Sequence, residues 1–241
     1  MKICFLEQGK EEINNLKYKS YLHTDQSQFY RLNWFTDNDL KANWTIKDIK
    51  YNKVLRFTEG REFLYMKAKE FFDYDYYIFI DEDIDFYNYK FNTQVKVVNK
   101  IIDFLKKYKP VAGHIMTRKI WSWNEEALIH MRETNKPISV SSHDVCTFIY
   151  SKNFATMMFP LKEHGSGSAL WYHQWLLSLL FPDKYLLCPN VYAVNAVRKP
   201  HFYEDDRKKE YRDKITSNFL NLTFAVWQKQ RQQLINIARK K

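Results

Sequence analysis

Asp81, Asp83 and Asp85 occupy every second position, with Glu82 inside the series, directly after the apolar run Tyr76-Tyr77-Ile78-Phe79-Ile80. Carboxylates crowded in this way repel one another unless a cation or a positive partner lies between them. The cluster therefore predicts a metal site. The apolar run predicts a strand buried on both faces, and the end of such a strand is where an open α/β sheet normally carries its ligand.

Four chemistries compete for these carboxylates. A calcium loop of the EF-hand type also begins D-x-D-x-D, but it needs Gly sixth and Glu twelfth, and here those positions hold Phe86 and Asn92. A Mg2+-dependent phosphohydrolase of the haloacid dehalogenase type carries D-x-D after a strand near its N-terminus, with Thr or Val fifth. Here the fifth residue is Asp85 and the motif lies a third of the way along the chain. A solvated acidic turn is the bland reading. The fourth is a D-x-D pair holding Mn2+ or Mg2+ against a nucleotide-sugar's diphosphate, where the ion neutralises charge developing on the leaving group.

The elements around the cluster support a rigid platform. Residues 1–6 and Phe29 to Phe35 read as strands, the second ending in the turn Asp37-Asn38-Asp39. Glu59 to Phe72 reads as a helix capped by Thr58, with Leu64, Ala68, Phe71 and Phe72 on one face. Asn92 is expected to open a second helix with Val95, Val98, Ile101, Ile102 and Leu105 on its buried side, ending at Pro110. Further strands are expected at Val111 to Met116, Val145 to Tyr150, Tyr185 to Leu187 and Val191 to Val197, with an apolar helix from Ala169 to Phe181. This alternation predicts an α/β/α sandwich around a mostly parallel sheet. It spans residues 1–205, with a basic helical extension, 206–241, packed on the same domain.

Composition removes several classes. The 241 residues suit one well-buried domain. No stretch reaches the roughly 20 apolar residues of a membrane span, and Glu7 interrupts the N-terminal apolar run too early for a signal peptide. A cytoplasmic location, with possible membrane association, is expected. Asn43-Trp44-Thr45 and Asn221-Leu222-Thr223 then read as chance matches to the glycosylation pattern. Cys4, Cys146 and Cys188 are few, odd in number and set in apolar surroundings, which predicts buried free thiols. Only five glycines occur, and no Walker A loop or G-x-G-x-x-G fingerprint can be built from them. The net charge of +10 needs an anionic partner or a basic surface. A nucleic-acid-binding protein would explain that charge and the 17% aromatic content. It would leave the acidic strand end unexplained, so no nucleic-acid partner is expected.

The segment Tyr74-Asp75-Tyr76-Tyr77-Ile78-Phe79-Ile80-Asp81-Glu82-Asp83, preceded by a helix carrying Arg61, resembles the GT-A glycosyltransferases. At the level of motif the resemblance covers Thr58 to Phe86, and as an order of elements Met1 to His201. It implies a nucleotide-sugar donor and a glycan or lipid-linked acceptor. It also implies a metal held by Asp83 and Asp81, with His201 as a further ligand and His173 and His164 as its competitors. Arg61, Glu82, Arg198 and Lys199 would face the donor, although Arg61 can equally be a solvated residue of the helix's first turn. Asp37 would lie by the base. An inverting enzyme needs a carboxylate base, and the helix from Ser168 to Trp175 has none. Asp144 and Glu163 are the nearest choices, and a retaining mechanism stays open. Trp171 and Tyr172 would stack on an acceptor sugar. The basic C-terminal helix either packs back on the domain or contacts an anionic membrane or a partner.

Overall fold

A computed structural model describes residues 1–9, 19–34, 44–46, 55–88, 90, 92–117, 129, 131, 133–140, 146–159, 177 and 181–195. The chain divides into two units, Met1–Ala196 and Val197–Lys241; every described residue belongs to the first. Nine strands form one sheet: β1 (Ile3–Gly9), β2 (Ser27–Trp34), β3 (Trp44–Ile46), β4 (Tyr76–Asp81), β5 (Ile84–Asn88), β6 (Ala112–Thr117), β7 (Ile138–Ser139), β8 (Thr147–Ser151) and β9 (Tyr185–Asn195). Helices whose bounds fall within the described residues include α1 (Leu55–Phe71), α2 (Val97–Tyr108) and α3 (Lys152–Met158).

The spatial order is β3-β2-β1-β4-β8-β6-β9-β5, with β7 beside β9. Following the pairings outward from β1, six strands run one way and only β5, β7 and β8 oppose them. The sheet is thus mostly parallel, as expected, and most of its strands end on one edge. Two residues, Glu82 and Asp83, join β4 to β5, yet these strands stand far apart in the sheet order. The sheet must curl for this to be possible. The ring of Phe86 on β5 accordingly lies 6.2 Å from that of Phe5 on β1.

Alternation along the parallel block separates two cores. Ile3, Phe5, Ile78 and Ile80 belong to one buried cluster with Phe86 of β5, Val191 of β9 and the α2 residues Val98, Ile101, Ile102 and Leu105. The opposite face carries aromatic pairs under α1 and α3: Tyr65 and Tyr77 at 4.9 Å, Phe79 and Phe148 at 4.6 Å, Tyr150 and Phe154 at 4.8 Å. The α/β/α sandwich follows. Cys4, Cys146 and Cys188 are buried free thiols. Among the described residues no helix is long and apolar enough to cross a membrane.

Several boundaries differ from expectation. Helix α1 starts at Leu55, so Thr58 lies within it rather than capping it. Leu64 and Ala68 are buried, but Phe71 and Phe72 are exposed, although Phe71 still stacks on the Tyr30 ring of β2 at 5.8 Å. Helix α2 starts at Val97, not at Asn92. Asn92 instead takes a left-handed turn conformation after β5, and Val95, ahead of the helix, is exposed. The two strands expected around Pro189 are one strand, β9, with an irregularity against β6 between His114 and Met116. Asn190, with φ 67°, takes the left-handed conformation there, and Asn tolerates it because its short polar side chain bonds locally. The acidic run does not end in a loop: Ile84–Asn88 continues as β5, alternating buried and half-buried residues. The expected helix from Ala169 to Phe181 lies almost wholly outside the described residues, and the extension 206–241 entirely so.

Candidate active site

The acidic turn sits on the edge where the parallel strands β1, β2 and β4 end. Burial explains its form. A strand covered on both faces admits a carboxylate only where partners compensate it, and β4 places its first one at the strand end, where Asp81 is 28% exposed. Its amide still donates to the carbonyl of Cys146 at 3.0 Å, extending the ladder by one bond.

Charged groups hold the turn from both faces of the sheet. On the α1 face is Arg61, the seventh residue of the helix and 0% exposed. Its Nη1 donates to the carbonyl of Ile80 at 2.7 Å and its Nη2 pairs with Asp81. The guanidinium carbon lies 5.4 Å from the Phe148 ring centre and 5.9 Å from that of Phe79. Burial pulls this guanidinium below its ordinary value, and the Asp81 carboxylate opposes that pull. Arg61 is therefore no solvated first-turn residue.

On the opposite face Glu7 is 0% exposed and takes two cations. Lys19 pairs with its Oε2, and Arg31 Nη1 lies 2.8 Å from its Oε1. Burial pushes the Glu7 carboxyl above its usual range, against the pull of Lys19 and Arg31. Both cations reach on to the turn: Lys19 Nζ donates to the carbonyl of Glu82 at 2.8 Å, and Arg31 Nη2 lies 3.5 Å from Glu82 Oε2. Gly9 makes this possible, since a Cβ there would stand 2.1 Å from Glu82 Oε2. Three residues further, the Tyr21 hydroxyl donates to Asp85 Oδ1 at 3.2 Å and accepts from the Phe86 amide at 3.0 Å.

Donor chemistry and charge both suit a hard divalent cation. The described cluster has five carboxylates (Glu7, Asp81, Glu82, Asp83, Asp85) against three cations (Lys19, Arg31, Arg61), an excess of two negative charges. The donors are oxygens, the type that Mg2+ and Mn2+ take. Gln8, in register with Asp81, is buried and leaves Oε1 without a hydrogen-bond partner among the described residues. A buried acceptor left this way normally has a ligand, water or ion to meet. Among the described residues no group of three or more His, Cys, Asp and Glu is already arranged to hold a metal.

Of the residues expected from sequence, Arg61, Asp81, Glu82 and Asp83 come together here. Asp37, Asp144, Glu163, Trp171, Tyr172, Arg198, Lys199 and His201 lie outside the described residues. Glu7, Lys19, Arg31 and Tyr21 went unread. A charge inside the apolar stretch Phe29-Tyr30-Arg31-Leu32 was a signal that a buried partner existed, and Glu7 is the first charge in the apolar run of β1, in register with Arg31. Lys19 carried no such mark.

No family model and no curated protein matches the chain. Solved structures are similar at a distance. They include A197 from STIV, at 14% identity and a TM-score of 0.45, over 80% of this chain and 84% of that one. A glycosyltransferase involved in glycosylation of the major capsid of PBCV-1 is similar at 10% identity and 0.46, over 87% and 98%. S. aureus TarS 1–349 is similar at 10% identity and 0.48, over 80% of this chain and 60% of its own length. Likenesses this remote do not specify chemistry.

Proposed function

We propose that the chain is a metal-dependent glycosyltransferase that moves a sugar from a UDP- or GDP-sugar to a glycan or lipid-linked acceptor. The observation that supports it is the acidic turn itself. Asp81 and Asp83 stand at the C-terminal edge of a parallel block, with Asp81 paired to the buried Arg61, Glu82 between them met by Lys19 and Arg31, and two negative charges in excess. In this reading Asp81, Asp83 and His201 hold Mn2+ or Mg2+. When bound, the ion supplies Lewis-acid stabilisation of the departing diphosphate.

The chain's own residues then divide the work. Arg61 serves the donor side by fixing Asp81, since its guanidinium is enclosed between the strand end and the Phe79 and Phe148 rings. Arg198 and Lys199 meet the phosphates, and Asp37 meets the base. Trp171 and Tyr172 pack on the acceptor. Asp144 or Glu163 takes the acceptor proton if the reaction inverts. The basic C-terminal segment brings the enzyme to an anionic surface.

A thermal-shift panel of UDP- and GDP-sugars, with and without Mn2+, tests the reading. A ligand at 100 times its Kd stabilises by about 2.7 kcal/mol, so one nucleotide sugar should raise the Tm only when metal is present. Asp83→Ala should abolish that requirement's effect. Full retention of metal-dependent stabilisation in Asp83→Ala overturns the assignment. Mg2+-dependent hydrolysis of p-nitrophenyl phosphate would point to a phosphohydrolase instead.

A further inference from the structure

We propose that Glu82 is an anchor and not a ligand, and that Glu7, Lys19 and Arg31 are positioning residues that fix the metal-binding turn through it. The inference rests on the metal-dependent reading above but is carried by a separate observation. The middle residue of Asp81-Glu82-Asp83 has its carbonyl hydrogen-bonded by Lys19 and its carboxylate 3.5 Å from the buried guanidinium of Arg31, cations that converge from two different parts of the chain.

Two-residue connections between strands that are not sheet neighbours have no ladder to hold them. Here Lys19 takes the Glu82 carbonyl and Arg31 the Glu82 carboxylate, while Gly9 leaves room for that carboxylate to lie against the end of β1. Both cations in turn share Glu7, whose carboxylate keeps two buried positive charges side by side. Glu7 is the hub: it sits in register between Arg31 on β2 and Ile80 on β4, one residue before the turn begins. Arg61 restrains Asp81 from the other face, and Tyr21 restrains Asp85 beyond it. The turn and the strand ends beside it are thus restrained at Asp81, Glu82 and Asp85 by groups that do not need the metal. An ion pair buried this deeply adds little stability over an apolar substitute, so what it supplies here is geometry. A site prepared before the ion arrives spends none of the binding free energy on ordering.

The test uses the full chain and two probes: Mn2+ alone, followed by electron paramagnetic resonance of the free ion, and amide hydrogen exchange across Asp81–Phe86. The double variant Glu7→Gln with Lys19→Met removes one anion and one cation together. It should keep its circular dichroism yet lose protection across the turn by about tenfold or more, and bind Mn2+ about tenfold more weakly. Lys19→Arg should recover part of both. Glu82→Gln should weaken Mn2+ less than Asp83→Asn does. A folded double variant with unchanged exchange across the turn overturns the proposal, as does a Glu82→Gln that loses Mn2+ as completely as Asp83→Asn. If the double variant fails to fold, Arg31→Lys takes its place: it keeps the charge but loses the two-pronged grip, and unchanged exchange there is equally fatal. If the wild-type chain binds no Mn2+, the metal-dependent reading fails, and the exchange data alone decide whether the clamp exists.

Discussion

The two ends of β4 place the same side-chain types under opposite conditions. Before the strand, Asp73 pairs with Lys152, and Asp75 takes the Lys2 amide at 2.7 Å and the N-terminal amine at 3.9 Å. These carboxylates are about half exposed. After the strand, Glu7, Lys19 and Arg31 are between 0% and 3% exposed, and Arg61 is fully enclosed. Water supports the first set and weakens each pair within it. Nothing but the partners supports the second. A charged group at the first end is therefore replaceable, whereas one at the second end commits the groups around it. That asymmetry marks the working edge of the sheet more sharply than the acidic residues alone do.

Glu7 is the residue on which the buried set depends most. Glu7→Ala leaves two cations buried together and should lower the unfolding free energy by about 3–5 kcal/mol in urea titrations. A loss no larger than that of a surface variant would show that the buried set is not interdependent. Arg61→Met comes next. It removes a charged donor from the Ile80 carbonyl but leaves Asp81 partly open to water, so the cost should be about 2 kcal/mol.

A pH series sharpens the contrast through sign. Burial raises the native pKa of Glu7 above its ordinary 4.5, so the native state holds this proton more tightly than the unfolded state. The stability tied to it is full below 4.5 and is lost as pH rises through the native value. The unfolding free energy of the wild type relative to Glu7→Gln should therefore fall as pH increases from 4.5. A difference that rises over that range would mean that Lys19 and Arg31 outweigh burial. The smallest effect belongs to the other end: Asp73→Asn should leave the unfolding midpoint unchanged within error, and a clear shift would remove the distinction between the two ends.

The parts of the fold that could be read from sequence are those governed by local period. The buried strand Tyr76–Asp81, the helix ahead of it and the strand near Ala112 all follow from hydrophobic spacing and were placed within a few residues. Local spacing failed where the environment decides burial. Phe71 and Phe72 satisfy the period of α1 yet are exposed, and Pro189 reads as a break in a strand that absorbs it as an irregularity. Strand β5 escaped because its alternation of Asp85 and Tyr87 with Ile84 and Phe86 looked like the tail of an acidic turn. The sequence pattern expects Arg61 either at the donor or solvated in the first turn of its helix; its pairing with Asp81 and its enclosure under Phe148 depend on β4 and β8 being in place.

By itself, the amino-acid sequence determined that Asp81, Glu82 and Asp83 end a buried strand, because a run of large apolar residues cannot continue into carboxylates and stay covered on both faces. Only the tertiary structure decided which charges answer them. Lys19 lies 63 residues from Glu82 in the chain, and Arg31 reaches the turn because the parallel register sets it beside Glu7. Pairings of that kind are fixed by strand order and register, which depend on the packing of both cores at once. No window of neighbouring residues contains them.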